Sequence, residues 1–314
     1  MPEILNLKNV KDGISLSDSI VYISSYERKP KKDGKSFYIA GSLVNKEDSL
    51  SFKIWDAPLV EALTQNDMNG RVVKITGSVG SYMNNLDLKI TSIESVDETQ
   101  YPRSLFLKSA NVKALFAEFS AFVKENLSET GFKCLNHIFT TENLFGRFVE
   151  EFAGSKMHDA QVGGLLHHTL KMMRIAKVVY LNEPRINDLE NYKDMLYMGV
   201  ILHDIGKIYE MDLGVYTENS FVTHRIMGIE LLVKYKQDII SAFDENFYYE
   251  LVSVLQGHHG EYGDAPNTVL AYIVHLIDML DSQTTGIFDK IERNDINMRA
   301  NNMTVYVDGH YLTV

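Results

Sequence analysis

Cysteine is almost absent: Cys134 is the one thiol in 314 residues. No disulfide can form within the chain, and a cytoplasmic home is the expectation. No apolar run is long enough to cross a bilayer, so no membrane partner is expected. Met1-Pro2-Glu3-Ile4 has neither the basic nor the apolar region of a secretory signal. Internal repeats and low-complexity tracts are missing as well. So is an excess of cations. The net charge is −11, which argues against a general nucleic-acid binder but not against cations grouped at one place. Residues 1–100 carry 12 Lys+Arg and 14 Asp+Glu, a balance of −2, and the remainder carries −9. Carboxylates therefore concentrate in the second part, where metal ligands would need them.

What is present is an ordinary globular composition, 45% hydrophobic and 23% charged, at a length that suits two domains. Up to about residue 95 the pattern has period two. Phe37–Leu43, Leu50–Ile54, Val72–Val79 and Leu86–Ile90 read as half-buried antiparallel strands broken by Gly, Asn and Asp. About five short strands with a helical insert near Leu59–Leu63 fit a small closed barrel of the oligonucleotide-binding (OB) kind. The polar run Asp97–Tyr101 ends in Pro102, a plausible boundary. Beyond it the period becomes helical: Val112–Val123, Leu165–Val179, Met195–Tyr209, Ile226–Tyr235, Tyr249–Leu255 and Val269–Asp281. The expectation is a barrel over 1–96, a linker over 97–109 and a mostly α domain over 110–314.

The second part holds imidazoles and carboxylates in an order that suits metal-assisted phosphate chemistry. The candidate ligands are His168, His203, Asp204, His224, His258, His259 and Asp278, with His158 and His167 close by. A single histidine on a helix is usually an ordinary residue, and His137 and His310 are read that way. A His-His doublet between Gly257 and Gly260 is harder to explain structurally. His203 and Asp204 are adjacent, so on a helix they point about 100° apart and can share an ion only at a helix end or across its edge. Gly206 thins the wall beside them for a phosphate. Lys207, a turn after His203, can place an ammonium over a phosphoryl oxygen. His275, Asp278 and Asp281 share a helix face, and His275 and Asp281 can orient ligands from behind.

Leu202-His203-Asp204-Ile205-Gly206-Lys207 resembles the signature of HD-domain metal-dependent phosphohydrolases, and Gly163–Thr169 resembles the segment supplying their first histidine. The match favours His168 over His167. The resemblance implies that His168, His203, Asp204 and Asp278 hold one metal, and that His224, His258 and His259 hold a second. The Gly-Tyr-Pro signature of cyclic-dinucleotide enzymes is missing after His259. With an OB-like part carrying Phe52-Lys53-Ile54-Trp55-Asp56 ahead of it, nearly the whole chain resembles the YhaM family of 3′→5′ exoribonucleases of Gram-positive bacteria. This implies two divalent ions, manganese most typical, with iron, cobalt and magnesium as alternatives, and single-stranded RNA or DNA as partner. One departure is Met157-His158-Asp159-Ala160, where His-His-Ala is expected; Asp159 lies outside the ligand set and bears on substrate contacts.

The barrel offers its own candidates. Arg28, Lys29, Lys31, Lys32 and Lys35 put five cations into eight residues ahead of Phe37 and Tyr38. Cations along a backbone with rings for base stacking suit sequence-tolerant single-strand binding, with Trp55, Tyr82 and Arg71 as further contributors. A solvated hairpin is the plainer reading of such a run. The expected activity is hydrolysis from a 3′ end to nucleoside 5′-monophosphates, with Asp204 and Lys207 as catalytic residues. The alternatives are a phosphohydrolase of small nucleotides with a regulatory OB-like domain, and a binding protein with an inert metal site. Self-association is plausible through the barrel surface and the apolar helix at 110–124.

Overall fold

The computed structural model describes residues 3–46, 48–82, 85–155, 159–188, 191–260, 263–292, 297–299, 302–307 and 310–313. It separates into two compact units, Met1–Ser109 and Ala110–Val314.

In the first unit, strands β1 (Ser15–Pro30), β2 (Phe37–Asn45), β3 (Asp48–Ile54), β4 (Arg71–Tyr82) and β5 (Asn85–Ser95) close into a barrel in the order β1-β2-β3-β5-β4. The pairing of β3 with β5 is parallel and the others antiparallel. β1 serves two neighbours because it bends: its register shifts near Leu16/Ser19 and Ile23/Ser25, and bulges of this kind let a strand turn a barrel corner. The alternation in the sequence is the alternation of the wall. Leu50, Phe52 and Ile54 point inward with Ile39, Leu43, Val73, Ile75, Leu88 and Ile90, while the residues between them face out. Between β3 and β4, helix α1 (Ala57–Gln65) starts where Asp56 accepts from the Leu59 amide at 3.0 Å, and it buries Val60 and Leu63. Within the stretch expected as a linker, Phe106 and Leu107 are buried, the Phe106 carbonyl accepts from the Lys46 amide, and the Phe106 ring packs on Tyr22. That part of the stretch thus packs on the barrel.

The second unit is helical as far as Glu292: α2 (Val112–Asn126), α3 (Glu129–Thr141), α4 (Phe145–Glu150), α5 (Gly164–Asn182), α6 (Tyr192–Leu202), α7 (Lys207–Glu210), α8 (His224–Lys234), α9 (Lys236–Ala242), α10 (Glu245–Gly257) and α11 (Val269–Glu292). A short hairpin, β6 (Met211–Asp212) with β7 (Val215–Tyr216), joins α7 to α8, and β8 (Asn297–Arg299), β9 (Asn302–Val307) and β10 (His310–Thr313) form a small sheet after α11. Every residue of α6 except Lys193 is buried, as expected for a central helix apolar all round. The stretch Met195–Tyr209, expected as one helix, is not continuous. It stops at Leu202, runs through a turn at 203–206 and resumes at Lys207. The cause is tertiary. A Cβ at position 206 would lie 1.9 Å from the His224 carbonyl oxygen, so the start of α8 presses directly on Gly206. The space beside Gly206 is thus filled by backbone and is no opening for a phosphate, contrary to the expectation from sequence.

Candidate metal centre and nucleic-acid face

The break after α6 puts His203 and Asp204 at a helix end, one of the two arrangements in which neighbours about 100° apart can face the same point. α5 contributes His168, the first residue of α8 contributes His224, the turn after α10 contributes His258 and His259, and α11 contributes Asp278. All seven candidates converge. His168 Nε2 lies 3.3 Å from both His203 Nε2 and Asp278 Oδ1. His224 Nε2 lies 2.9 Å from His259 Nε2. Asp204 stands between the two groups. Its Oδ2 is 3.2 Å from His203 Nε2 and 3.8 Å from His168 Nε2, and its Oδ1 is 3.4 Å from His224 Nε2 and 3.5 Å from His258 Nε2.

The far side of each ring fixes which nitrogen faces the centre. His203 Nδ1 donates to the Val200 carbonyl at 2.7 Å and His258 Nδ1 to the Leu255 carbonyl at 3.1 Å. A carbonyl can only accept, so each neutral ring keeps its Nε2 lone pair for a ligand. For His168 and His224 the acceptor is a carboxylate: Asp281 Oδ2 at 2.7 Å and Glu210 Oε2 at 2.8 Å. These carboxylates hold the rings in orientation. Glu210 had no signal in the sequence, because it lies 14 residues from His224 and meets it only through the hairpin between them. His275 meets a ligand through the ligand's main chain. Its Nδ1 donates to the His258 carbonyl at 2.7 Å, and it approaches that closely because Gly260, at φ +57°, leaves room for the ring.

Does this set fit divalent ions? Asp204 Oδ1 and His258 Nε2 are buried without a hydrogen-bond partner, and such orphaned atoms are costly unless something positive meets them. Among the described residues, three groups of three or more donors each fit within 4.8 Å: Asp204-His224-His258-His259, His168-His203-Asp278, and Asp159-His168-Asp281 behind the second of these. Imidazole and carboxylate donors are the ligands of first-row divalent metals. The set fits, and the chain is read as divalent-metal dependent. In the metal-free chain, burial opposes charge on His168, but Asp278 and Asp281 outweigh it and push its pKa up to about 9. Burial brings His258 down to about 4 and His259 down to about 3. Burial would raise Asp204, yet Lys207 and His203 hold it well below the usual carboxylate range.

Lys207 is engaged. Its ammonium is 2.6 Å from Asp204 Oδ2 and donates to the Ala153 carbonyl at 2.5 Å. Asp159, the departure noted in the sequence, is buried and bonded. It lies 2.7 Å from His167 Nδ1 and 2.9 Å from Lys171, whose ammonium also reaches Asp281 at 3.0 Å. Despite burial, His167 and Lys171 bring the Asp159 carboxyl down to about 2. Lys171 bridges Asp159 and Asp281 and offsets one of their two charges. His158 and Met157 lie outside the described residues.

On the barrel, Arg28, Lys29 and Pro30 are the last residues of β1, and Lys31–Ser36 form the turn into β2. Asp33 organises that turn by accepting from the Lys35 and Ser36 amides at 2.9 and 3.0 Å. Trp55 stacks on Tyr38 with centroids 4.4 Å apart and planes 11° from parallel, and Lys31 donates to the Trp55 carbonyl at 3.1 Å. Phe37 is elsewhere. Ile39 pairs with Ile54 and is buried, so Phe37 shares the inward parity of Ile39, and Tyr38 and Trp55 share the outward one. Arg28 covers the Phe37 ring at 4.1 Å and pairs with Glu61 at 3.8 Å. Phe37 and Trp55, expected together, thus belong to opposite faces. Lys29 pairs with Glu27 at 2.5 Å, and Lys32 and Lys35 are exposed. Arg71 lies 3.5 Å from Glu98, and nothing is described of the Tyr82 side chain.

Barrel order and helical centre together define the class: an OB-like barrel followed by an HD domain. Residues 165–283 match the HD domain family. Along nearly its full length the chain is similar to proteins named 3′-5′ exoribonuclease YhaM. It is 28% identical over 289 residues to the one from Listeria monocytogenes serotype 4b, covering 87% of each chain. It is 26% identical over 287 residues to the one from Bacillus subtilis, covering 88% of each. Among solved structures, Rim1, a mitochondrial single-stranded DNA binding protein from S. cerevisiae, matches 28% of this chain and 97% of that one at 16% identity, with a TM-score of 0.24.

Proposed function

We propose that the chain is a divalent-metal-dependent 3′→5′ exoribonuclease that shortens single strands to nucleoside 5′-monophosphates. The observation that carries this is Asp204: one carboxylate with one oxygen toward His168 and His203 and the other toward His224 and His258. A bridging carboxylate between two donor sets is what a paired-metal phosphodiesterase needs. His168, His203 and Asp278 would complete one ion and His224, His258 and His259 the other. When bound, the pair supplies an activated water and takes up charge on the phosphoryl oxygens. The rest falls to the chain. Asp281, Glu210 and the Val200 and Leu255 carbonyls keep the Nε2 atoms of His168, His224, His203 and His258 aimed inward, and Lys207 holds Asp204 between the two donor sets. Manganese is the proposed metal, and single-stranded RNA, with DNA as a second substrate, the proposed partner. The similarity to the YhaM-named proteins over 87% of the chain supports the polymer substrate. Tyr38-Trp55 and the exposed lysines beside them would add strand affinity.

The test is product analysis on 3′- and 5′-labelled single strands with manganese. The 5′-labelled strand should yield a ladder shortening one nucleotide at a time, and the 3′-labelled strand should release labelled mononucleotide at once. Hydrolysis of free nucleotides with no ladder would instead support a small-nucleotide phosphohydrolase.

A further inference from the structure

The loop that delivers His224 carries an aromatic ring the chemistry above does not use. Phe221 is 82% exposed, the highest value among the described large apolar side chains, and Tyr216, the last residue of β7 before this loop, is 56% exposed. The loop is not slack. Glu210 ties both its ends: its backbone carbonyl accepts from the Thr217 amide at 2.9 Å, and its carboxylate meets His224 Nδ1 at 2.8 Å. Between those ties, the Ser220 amide donates to the Thr217 carbonyl and the Val222 amide to the Asn219 carbonyl, making two successive turns. The neighbours Phe221 and Val222 are treated differently. Val222 lines a cavity with Met227 and Leu231, while Phe221 is turned out to water. A hydrogen-bonded loop that half-buries the smaller apolar residue and exposes the larger holds the ring out for something outside the fold.

Chain reach says where. Phe221 precedes the ligand His224 by three residues, so their Cα atoms are no more than about 11 Å apart. A stacked strand rises about 3.4 Å per nucleotide, so the Cα of Phe221 lies within roughly three nucleotides of the His224 backbone. We propose that Phe221, with Tyr216 at the end of β7 five residues before it, is a stacking platform for the bases at the strand end entering the centre. It is a specificity-determining residue that favours a polymer over a free nucleotide. Rings stack on any base, which suits an enzyme that must degrade a strand irrespective of its sequence. This rests on the exoribonuclease reading and deepens it.

The experiment measures steady-state hydrolysis of a labelled RNA strand, with manganese content and thermal melting as checks on the metal centre and the fold. Phe221→Ala should raise KM about tenfold, with a much smaller change in kcat. Phe221→Trp should restore it, and Phe221→Leu, apolar but unable to stack, should not. A KM within twofold of wild type for Phe221→Ala overturns the platform, as does full rescue by leucine, which would show that apolar bulk and not ring stacking sets KM. A wild-type chain that cleaves bis(p-nitrophenyl) phosphate but no strand overturns the exoribonuclease reading itself. A wild-type ladder with an unaffected Phe221→Ala overturns only the platform.

Discussion

The metal centre and the Tyr38-Trp55 edge of the barrel are built on opposite principles. In the centre, His168, His203, Asp204 and His258 are buried, and each polar atom is bonded from behind or aimed at the same small volume. On the barrel, Trp55 is 42% exposed, stacked on Tyr38 and flanked by the long, half-exposed side chain of Lys31. Buried polar groups lose nearly everything when one partner goes, because the remaining ones cannot turn to water. Exposed stacking and ion pairing degrade by increments. Changes in the centre should therefore act as switches, and changes on the barrel as adjustments.

The largest effect should follow Asp204→Ala, which removes the oxygen atoms shared by both donor groups. Hydrolysis should fall about a thousandfold or more, while strand binding by the barrel persists. Single-turnover cleavage and filter binding on the same preparation check this, and unchanged cleavage would end the bridging assignment. The outer carboxylates split the centre into halves. Asp281→Asn should weaken metal binding at the His168 group, and Glu210→Gln at the His224 group, each by about 10- to 100-fold. Calorimetric titration should show a different one of two binding events affected in each variant. If both variants lose the same event, the division into two sites is wrong.

Metal uptake should also depend on pH in a set direction. His168 of the metal-free chain, with its pKa pushed up to about 9, is protonated at pH 7 and must lose that proton to bind. His258 and His259, at about 4 and about 3, are already neutral. Affinity should therefore rise with pH through the neutral range and level off near 9. Titration in two buffers of different ionisation enthalpy should report release of about one proton per chain at pH 7. Absence of proton release would mean that Asp278 and Asp281 do not hold His168 charged.

The centre was legible in the sequence to the extent that its residue types are unusual together. Adjacent His203-Asp204 and His258-His259 stand out in any chain, and Asp281 follows Asp278 at helical spacing. What could not be read were the contacts made by distant segments. Glu210 meets His224 across a hairpin, and Asp159 reaches Lys171 across the start of α5. The end of α6 was hidden because the apolar period runs past it, and only the backbone of His224 against Gly206 shows why the helix stops. The barrel was legible as strands but not as faces. A single step of register separates Phe37 from Tyr38, and that step places one ring under Arg28 and the other against Trp55.

That step gives the barrel its own graded tests. Trp55→Ala should weaken strand binding by about 1–3 kcal/mol, the contribution of one stacked base. Phe37→Ala should weaken it less, since its ring is occupied by Arg28; an equal loss from both would mean that the register misplaces the binding face. The smallest effect belongs to Lys32 and Lys35. Exposed ammonium groups contact phosphate without reading bases, so Lys32→Ala should weaken all sequences alike. Each lost phosphate contact on a single strand should lower the slope of log affinity against log salt by about 0.7. The slope separates the two kinds of residue: it should change for Lys32→Ala and stay fixed for Trp55→Ala. A fixed slope for the lysine variant would return the basic turn to the role of a solvated hairpin, and strand affinity would then rest on Tyr38, Trp55 and the loop before His224.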